Sequence, residues 1–290
     1  MVVHAVRSAL AQDFKELVVV VSDNSTNEDT MEMLSNEFKD NSRFFYIKRE
    51  HTLSPIGHFN KVLSEVNSEF FMLFHDDDIM DSNMITSLIQ EFTDESIVAV
   101  GANSRISVSG SLRKKPMWLS SKSKMFINDS TTFIKPYLNN GGIIPFPAYL
   151  YRKRMVGDLR MRTENGGKFC DVAFLVDVSN LGRIVWIKTP LMTYYIHQGQ
   201  DSFSNSFIDR LKLIKYICHQ TTLNLRSPLI IQYRLYNIFL ELKNDVVQKN
   251  IQHTKRYLFA MYLSIKYSKL WIMPRIFYYL PRFLFANIKK

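Results

Sequence analysis

The feature that most constrains this chain is an apolar run that ends in three adjacent carboxylates, Phe70 to Met80, with the sequence FFMLFHDDDIM. A short uninterrupted apolar run is typical of a strand buried on both faces. Three neighbouring like charges repel one another unless a positive group neutralises them. Hard oxygen ligands suit Mg²⁺ or Mn²⁺, ions that usually keep substrate phosphates among their ligands. The stretch predicts a divalent-cation site, with a solvated acidic turn or helix cap as the alternative.

The charge of the chain is concentrated in its last third. The 290 residues carry a formal net charge of +10, and residues 206–290 contain 15 Lys and Arg against 3 Asp and Glu, a net of +12. Residues 1–205 therefore carry about −2. Such an asymmetry suggests a polyanionic or membrane partner for the basic part.

The two cysteines, Cys170 and Cys218, exclude a disulfide framework and a cysteine-rich metal site, which favours a reduced, cytoplasmic setting. The first twenty residues are typical of a helix followed by a strand rather than a signal peptide. The sequence contains no run of about eighteen apolar residues, which is the length needed to span a bilayer.

The first eighty residues alternate between helical and strand patterns. Short crossovers of this kind predict right-handed connections and a parallel sheet, whose ligands bind beyond the carboxyl ends of the strands. Asp23 and the cluster Asp76 to Asp78 both follow predicted strands, so we expect them at one edge. The predicted elements are helices at Val2–Gln12, Met31–Phe38 and Pro55–Val66, and strands at Leu17–Val21, Phe44–Ile47 and from Phe70.

Four stretches together resemble the inverting family 2 glycosyltransferases, which have a GT-A fold. They are VVVVSDNSTNEDT, GHFNKVLSEVNSEFFMLFHDDDIM, KFCDVAFL and YYIHQGQDS, within residues 1–203. The resemblance implies an α/β, GT-A-like fold, with a mostly parallel Rossmann-type sheet flanked by helices. It implies a nucleotide-sugar transferase domain over residues 1–205, followed by a basic helical region over residues 206–290.

The resemblance also implies roles for individual residues in donor binding. Asp23 would hold the base of a nucleotide-sugar donor, and Asn60 and Asp76 would contribute to the same donor site. Members usually carry an acidic residue two positions before the aspartate that binds the metal. That position is His75 if Asp77 is the ligand and Asp76 if Asp78 is, and Asp77 is favoured.

His197 is the third metal candidate, because family members often have a histidine here that reaches the metal or the diphosphate. An imidazole near a divalent ion suits that role, although a histidine after a strand is as often structural. The implied ligands are thus Asp77, Asp78 and His197, and the implied cofactor is Mn²⁺ or Mg²⁺.

Inverting sugar transfer needs a carboxylate that takes the proton of the acceptor hydroxyl. Asp171 is the candidate base, because the family places its base in a stretch like GGKFCDVAFL. A helix N-cap is the alternative role for Asp171. Asp177 and Glu164 are weaker candidates for the base.

Family members normally open with an apolar strand that helps hold the nucleotide, whereas this chain starts in the helix that follows it. Either the sequence begins too late or the protein lacks that strand. Loss of a central strand would expose unpaired backbone edges, which favours the first explanation.

Three further segments have weaker patterns. Asp81–Phe92 predicts a helix, Ile97–Gly101 a strand, and Ala102–Lys124 an irregular basic region. Asn139–Arg154 would line an acceptor pocket or form a surface loop that runs into a core strand. Trp186–Tyr195 predicts the strand that leads to His197.

Residues 206–290 combine helical stripes with aromatic and basic side chains. One predicted stripe is Ile208, Leu211, Ile214 and Cys218. Aromatic residues among cations are typical of helices on an anionic membrane surface. Packing on the catalytic domain is the alternative for the first helices. Nucleic-acid binding ranks lower, because the acidic cluster would then have no role.

The sequence therefore predicts a metal-dependent inverting glycosyltransferase that moves a sugar from a nucleotide-diphosphate sugar to a glycan or lipid-linked acceptor. We expect it in bacterial surface polysaccharide synthesis, in the cytoplasm and peripheral at the inner face of the membrane, without a nucleic-acid partner. A non-catalytic nucleotide- or glycan-binding protein with a degenerate transferase fold is the alternative.

Overall fold

The computed structural model describes residues 1–139, 142–197 and 207–248, together with Tyr262 and Lys266. The strands are β1 (Val19–Asp23), β2 (Phe44–Lys48), β3 (Phe70–Met72), β4 (Ile79–Met80), β5 (Ile97–Val108), β6 (Ser111–Leu112), β7 (Lys124–Ile127), β8 (Tyr149–Arg152) and β9 (Arg183–Ile196). The helices are α1 (Val2–Leu10), α2 (Asp29–Phe38), α3 (Pro55–Glu65), α4 (Met84–Ile89), α5 (Ser130–Leu138), α6 (Lys153–Val156), α7 (Cys170–Leu181), α8 (Phe207–Gln220) and α9 (Pro228–Gln248). Short 3₁₀ turns lie at Phe146–Ala148, Thr163–Asn165 and Gly167–Phe169.

The first sheet is a parallel pair, β1 and β2, in which Val21 lies opposite Tyr46. Helices α1 and α2 supply its core, which contains Val6, Leu10, Leu34 and Phe38. Apolar residues at helical spacing in α1 and β-branched residues in β1 explain why these segments adopt their respective structures.

The second sheet has seven strands in the order β3-β8-β5-β9-β4, with β6 paired to β5 and β7 paired to β9. Only β5 and β9 run parallel, so this sheet is mixed rather than mostly parallel. One of the antiparallel pairs, β5 and β6, is connected by the two-residue turn Ser109–Gly110, whose φ angles are 49° and 84°. A hairpin turn of this kind makes the second strand antiparallel to the first.

The two sheets are joined through α1. The Ser8 hydroxyl accepts a hydrogen bond from the Met80 N–H at 3.1 Å, and the Gln12 amide donates to the Asp81 carbonyl at 2.7 Å. β1 and β3 belong to different sheets. The expectation that Asp23 and the cluster Asp76 to Asp78 lie at the edge of one sheet is therefore wrong.

Strand β5 is longer than predicted, since Ala102–Val108 continues it instead of forming irregular structure. The polar side chains of Asn103 and Ser104 concealed this extension, yet both residues are fully buried. The Asn103 amide donates to the Trp118 carbonyl at 2.8 Å and to the Lys188 carbonyl at 3.1 Å, and its oxygen accepts from the Trp118 N–H at 3.0 Å. A buried amide with this many partners is compatible with a strand interior.

Helices α8 and α9 pack on the core of the main sheet, because Leu213, Ile214 and Ile217 of α8 and Ile230 of α9 belong to the main apolar cluster. The predicted stripe is confirmed at Ile214, which is buried, and at Cys218, which packs against the same cluster, and it is wrong at Ile208, which is 64% exposed. Among the described residues, no helix is both long enough and apolar enough to cross a bilayer. The predictions for residues 198–206 and for the aromatic sequence after Gln248 concern residues outside the described part of the chain.

We expect Asn103→Ala to lower the free energy of unfolding by about 2–3 kcal/mol, because it leaves buried backbone groups of Trp118 and Lys188 without partners. Chemical denaturation measures the change. Asn139→Ala, at an exposed position after α5, is the control and should change stability by less than about 0.5 kcal/mol. Equal effects of the two substitutions would contradict this role for Asn103.

Candidate active site

The acidic cluster lies in the turn between β3 and β4, at the carboxyl end of β3. Asp76 is exposed, the Asp77 side chain is 12% exposed, and Asp78 is completely buried. Three adjacent carboxylates thus lie at three depths, so each has a different environment.

Asp78 is the most strongly perturbed carboxyl group of the cluster. Its Oδ1 accepts a hydrogen bond from the Tyr195 N–H of β9 at 3.0 Å, whereas its buried Oδ2 has no hydrogen-bond partner among the described residues. Burial raises the pKa of Asp78 to about 8, and the charges of Asp77 and Asp76 act in the same direction, against the Tyr195 hydrogen bond.

Two histidines complete the cluster. His197 Nε2 lies 3.0 Å from Asp77 Oδ2, and His75 Nδ1 lies 3.9 Å from Asp78 Oδ2. One ligand atom from each of His75, Asp77 and Asp78 lies within 4.8 Å of the others. Sequence reasoning gave His75 no role of its own, although its place two positions before Asp77 was the available signal.

This donor set fits a divalent cation. An ion would supply the positive charge that the buried Asp78 carboxylate lacks and would occupy the side of Oδ2 that has no partner. Carboxylate oxygens with imidazole nitrogens suit Mn²⁺, and carboxylates alone suit Mg²⁺. The geometry brings together all three predicted ligands, since His197 contacts Asp77.

Asp171 lies in the first turn of α7, one residue after the helix begins. The N-cap is Phe169, so the alternative role of Asp171 as an N-cap is wrong. Burial raises the pKa of Asp171 to about 6, against hydrogen bonds from backbone N–H groups of Val172 and of Asp171 itself. A carboxyl group with this pKa is ionised near neutral pH and still basic enough to accept a proton.

The weaker base candidates have other environments. Asp177 accepts a hydrogen bond from the Tyr216 hydroxyl at 2.5 Å, which ties α7 to α8. Glu164 is exposed in a 3₁₀ turn. Burial raises the pKa of Asp177 as well, against the Tyr216 hydrogen bond, so the position of Asp171 in the first turn of α7 is what distinguishes it from Asp177.

Aromatic side chains connect the acidic cluster to α7. The Phe146 ring centroid lies 6.1 Å from that of His75 and 6.0 Å from that of Phe174, which is one helical turn after Asp171. Tyr194 of β9 is partly buried, which raises its pKa, and the charges of Asp78, Asp77 and Asp171 act in the same direction. Phe146 and Tyr194, neither of which the sequence singled out, thus lie between the two halves of the site.

The turn that delivers Asp171 is held by α8. Arg210 stacks on the Phe169 ring with its guanidinium carbon 4.5 Å from the ring centroid, and it donates to the Tyr233 hydroxyl at 3.1 Å. Gly167 has a φ of +59°, and a Cβ there would lie 2.0 Å from Asp209 Cγ. The backbone before Asp171 can therefore approach α8 only because residue 167 is glycine.

Asp23 ends β1, where both of its oxygens are engaged within the chain. The Ser25 N–H donates to one oxygen at 2.8 Å, and the Tyr46 hydroxyl and Lys48 ammonium donate to the other at 2.5 and 3.1 Å. Burial alone would raise the Asp23 pKa, but these hydrogen bonds together lower it to about 2. Asp23 is thus a fixed anion, and its contact with a nucleotide base stays a prediction.

Asn60 of α3 holds a loop. Its amide nitrogen donates to the Met161 carbonyl at 2.9 Å, and its oxygen accepts from the Met161 N–H at 2.8 Å. These bonds fix the segment that leads to α7. The predicted role of Asn60 in donor binding, like that of the exposed Asp76, is a separate claim that stays a prediction.

Comparison with known proteins identifies the family of this chain. Residues 1–158 match the model of glycosyl transferase family 2, more than half of the chain, so the chain belongs to that family. A segment of 112 residues is 31% identical to GalNAc(5)-diNAcBac-PP-undecaprenol beta-1,3-glucosyltransferase from Campylobacter jejuni. That segment is 38% of this chain and 36% of the relative, so the chain matches only about a third of that enzyme.

Solved structures confirm the GT-A-like α/β fold. S. aureus TarS in complex with UDP-GlcNAc superimposes with a TM-score of 0.64 at 16% identity, over 99% of this chain and 85% of that one. The mannosyltransferase PcManGT from Pyrobaculum calidifontis, in complex with GDP-Man and Mn²⁺, gives a TM-score of 0.54 at 12% identity, over 99% and 83%. At these identities the likeness concerns the fold alone.

We expect Mn²⁺ to raise the melting temperature more at about pH 8 than at about pH 6. The folded pKa of Asp78 is raised, so without an ion its contribution to stability is present at low pH and is lost as pH rises from about 4 through about 8. A cation binds the ionised form and removes this loss. Differential scanning fluorimetry checks the trend. Asp78→Asn should reduce the pH dependence of the Mn²⁺ effect and leave only the part that comes from deprotonation of the histidine ligands. An unchanged pH dependence in that variant would contradict the assignment.

We expect Gly167→Ala to destabilise the protein by about 3 kcal/mol or more, since the new methyl group meets Asp209 at a backbone conformation that favours glycine. Gly157→Ala is the matched control, because Gly157 has a φ of +56° and open space around it. The control should lose only about 1 kcal/mol. Thermal unfolding compares the two variants, and equal losses would rule out the steric contact with α8.

Proposed function

We propose that this chain is a metal-dependent inverting glycosyltransferase that transfers a sugar from a nucleotide-diphosphate sugar to a glycan or lipid-linked acceptor. The observation that carries the proposal is the placement of two chemically different acidic groups around Tyr194. One is the cation-binding cluster with its buried Asp78, and the other is Asp171, whose pKa of about 6 suits a base.

Asp171 is the catalytic base in this proposal. Its ionised carboxylate accepts the proton of the acceptor hydroxyl while that oxygen forms a bond to the anomeric carbon of the donor. The bond from the anomeric carbon to the diphosphate oxygen breaks with its electron pair, so the configuration inverts. Partial burial of Asp171 raises its pKa and so keeps the carboxylate basic.

The acidic cluster would hold the leaving diphosphate through a bound cation. Asp77, Asp78, His75 and His197 would bind Mn²⁺ or Mg²⁺, and such an ion neutralises charge that develops on a leaving diphosphate. The chain orients this site through Tyr195, whose N–H fixes Asp78, and through the contact between His197 and Asp77. Asp77 is the favoured direct ligand because it is less buried than Asp78.

In this proposal the donor site includes Asp23, which contacts the nucleotide base, and Asp76, at the exposed rim of the cluster. Asn60, which holds the Met161 backbone, contributes to the same site. A UDP-sugar is the first donor class to test, since UDP-GlcNAc is bound by S. aureus TarS, which shares the fold. The Campylobacter relative is named for a lipid-linked acceptor, which supports an acceptor of that class here.

We assign the transferase domain to residues 1–205 and membrane association to the basic region 206–290, at the inner face of a bacterial membrane in surface polysaccharide synthesis. Helices α8 and α9 support the catalytic core through the cluster that contains Leu213 and Ile230. Within the basic region, the aromatic and cationic sequence after Gln248 is therefore the part to which we assign lipid contact.

A non-catalytic nucleotide- or glycan-binding protein with the same fold is the second candidate. The engagement of both Asp23 oxygens and of both Asn60 amide groups within the chain favours it. Turnover separates the two functions, because a binding protein retains ligand without releasing products.

We expect hydrolysis of a UDP-sugar with Mn²⁺, and its rate should rise with pH through about 6 as Asp171 ionises. Asp171→Asn should lower kcat by about 100-fold or more while KM for the donor stays similar, since the base acts only in the transition state. Asp77→Ala should weaken Mn²⁺ binding as well. Release of UDP measures the rate, and Asp158→Asn, at an exposed site, is the control. Donor binding without turnover at any pH would support the second candidate.

A further inference from the structure

The segment Ser111 to Phe126, which we call the strap, crosses one face of the main sheet. At its start, Leu112 of β6 pairs with Ser107 of β5, on the edge away from β9. At its end, β7 pairs with β9 on the edge away from β5. The strap therefore spans both strands of the parallel pair at the centre of the sheet.

The middle of the strap is anchored to the core of the main sheet. Trp118, at its middle, is only 4% exposed and contacts the Trp186 ring edge-on at 5.3 Å. Its backbone N–H and carbonyl both bond to the buried Asn103 side chain. Because the centre of the strap is fixed to the core, its remaining side chains have a defined outer surface.

That outer surface combines exposed apolar side chains with cations. Leu112, Leu119 and Phe126 are 63%, 58% and 54% exposed, which is high for large apolar residues. An open concavity of about 580 Å³ lies between residues 118 and 126. The strap also carries five cations, namely Arg113, Lys114, Lys115, Lys122 and Lys124.

The charge of the strap has no local compensation. Residues 96–128 contain no Asp or Glu. Lys124 pairs with Glu91, but no ion pair links Arg113, Lys114, Lys115 or Lys122 to any other residue in the part of the chain that the structure describes. Four exposed cations beside exposed apolar groups match the chemistry of an anionic lipid surface, which offers headgroup charge above an apolar layer.

The strap lies near the active site. Leu112 and Tyr195 pair with opposite edges of the same residue, Ser107, so they are separated by two strand spacings, roughly 10 Å. Tyr195 donates to Asp78 and is followed two residues later by His197. Phe126, at the other end of the strap, pairs with Val185, ten residues before Tyr195 and so about 30 Å along β9. A surface bound at the β6 end of the strap would therefore be the part that lies close to the cation site.

We propose that the strap is a docking surface for an anionic phospholipid bilayer. It would hold the acidic cluster close to the headgroup layer in which a lipid-linked acceptor presents its sugar, a consequence that rests on the proposed transferase function. The aromatic sequence after Gln248 and the strap would then contact the same membrane at two places.

Co-sedimentation of the full chain with vesicles tests the strap directly. The double variant Arg113→Glu with Lys115→Glu should bind vesicles of phosphatidylglycerol and phosphatidylcholine about 20-fold more weakly than the wild type. Leu119→Ser should lose about 10-fold through its apolar contact. Raising the salt concentration should weaken wild-type binding.

The matched control is Lys15→Glu with Lys39→Glu, which changes the net charge equally at exposed positions in the segments around the first sheet. Equal binding by the strap and control variants would overturn the proposal, as would equal wild-type binding to pure phosphatidylcholine. Strap-dependent binding to a single-stranded oligonucleotide but not to vesicles would also overturn it. Donor hydrolysis, measured on the same samples, should be unchanged in the strap variants. Its absence from the wild type would refute the transferase proposal without affecting the vesicle comparison.

Discussion

The burial of the Asp78 carboxyl group is the constraint on which the geometry of the site depends. A carboxylate with one oxygen bonded to the Tyr195 N–H and the other without a partner among the described residues is unfavourable without a counter-ion. β4 begins at the next residue and pairs with β9, so the same few residues fix the sheet and the acidic turn. The unfavourable electrostatics of this turn, and not a large pocket, mark the site.

The proposed base is positioned by a different part of the chain. Asp171 follows a 3₁₀ turn that α8 covers, and Arg210 connects this turn to Tyr233 of α9. For the first C-terminal helices the sequence suggested either a membrane role or packing on the transferase domain, and α8 and α9 adopt the second arrangement, next to the turn that precedes Asp171. Phe146 links this half to His75 across the site.

The local chemistry of the chain could be predicted from its sequence better than its long-range pairing. The apolar run before Asp76 and the helix that starts near Asp171 have patterns that depend on neighbouring residues, and both were found. The extension of β5 through Asn103 and Ser104 was missed, because buried polar residues in a strand are explained only by partners far away in sequence. His75 was given no role for a different reason, since it is only three residues from Asp78 and their approach depends on the conformation of the turn between β3 and β4. The separation of β1 from β3 required knowledge of pairing, which alternation alone does not provide.

Helix α1 has a consequence for selectivity that follows from the division into two sheets. It packs on β1 through Val6 and Leu10 and is bonded to β4 through Ser8, so it is a rigid spacer between the sheet that carries Asp23 and the turn that carries Asp78. In the proposed function, Asp23 recognises the nucleotide base and the acidic cluster holds the diphosphate through a cation. The packing of α1, together with that of α3, which contacts Ser22 through His58 and His75 through Phe59, would then fix the distance between these two groups. Discrimination between donors of different length would depend on helix packing as well as on the residues that contact the donor.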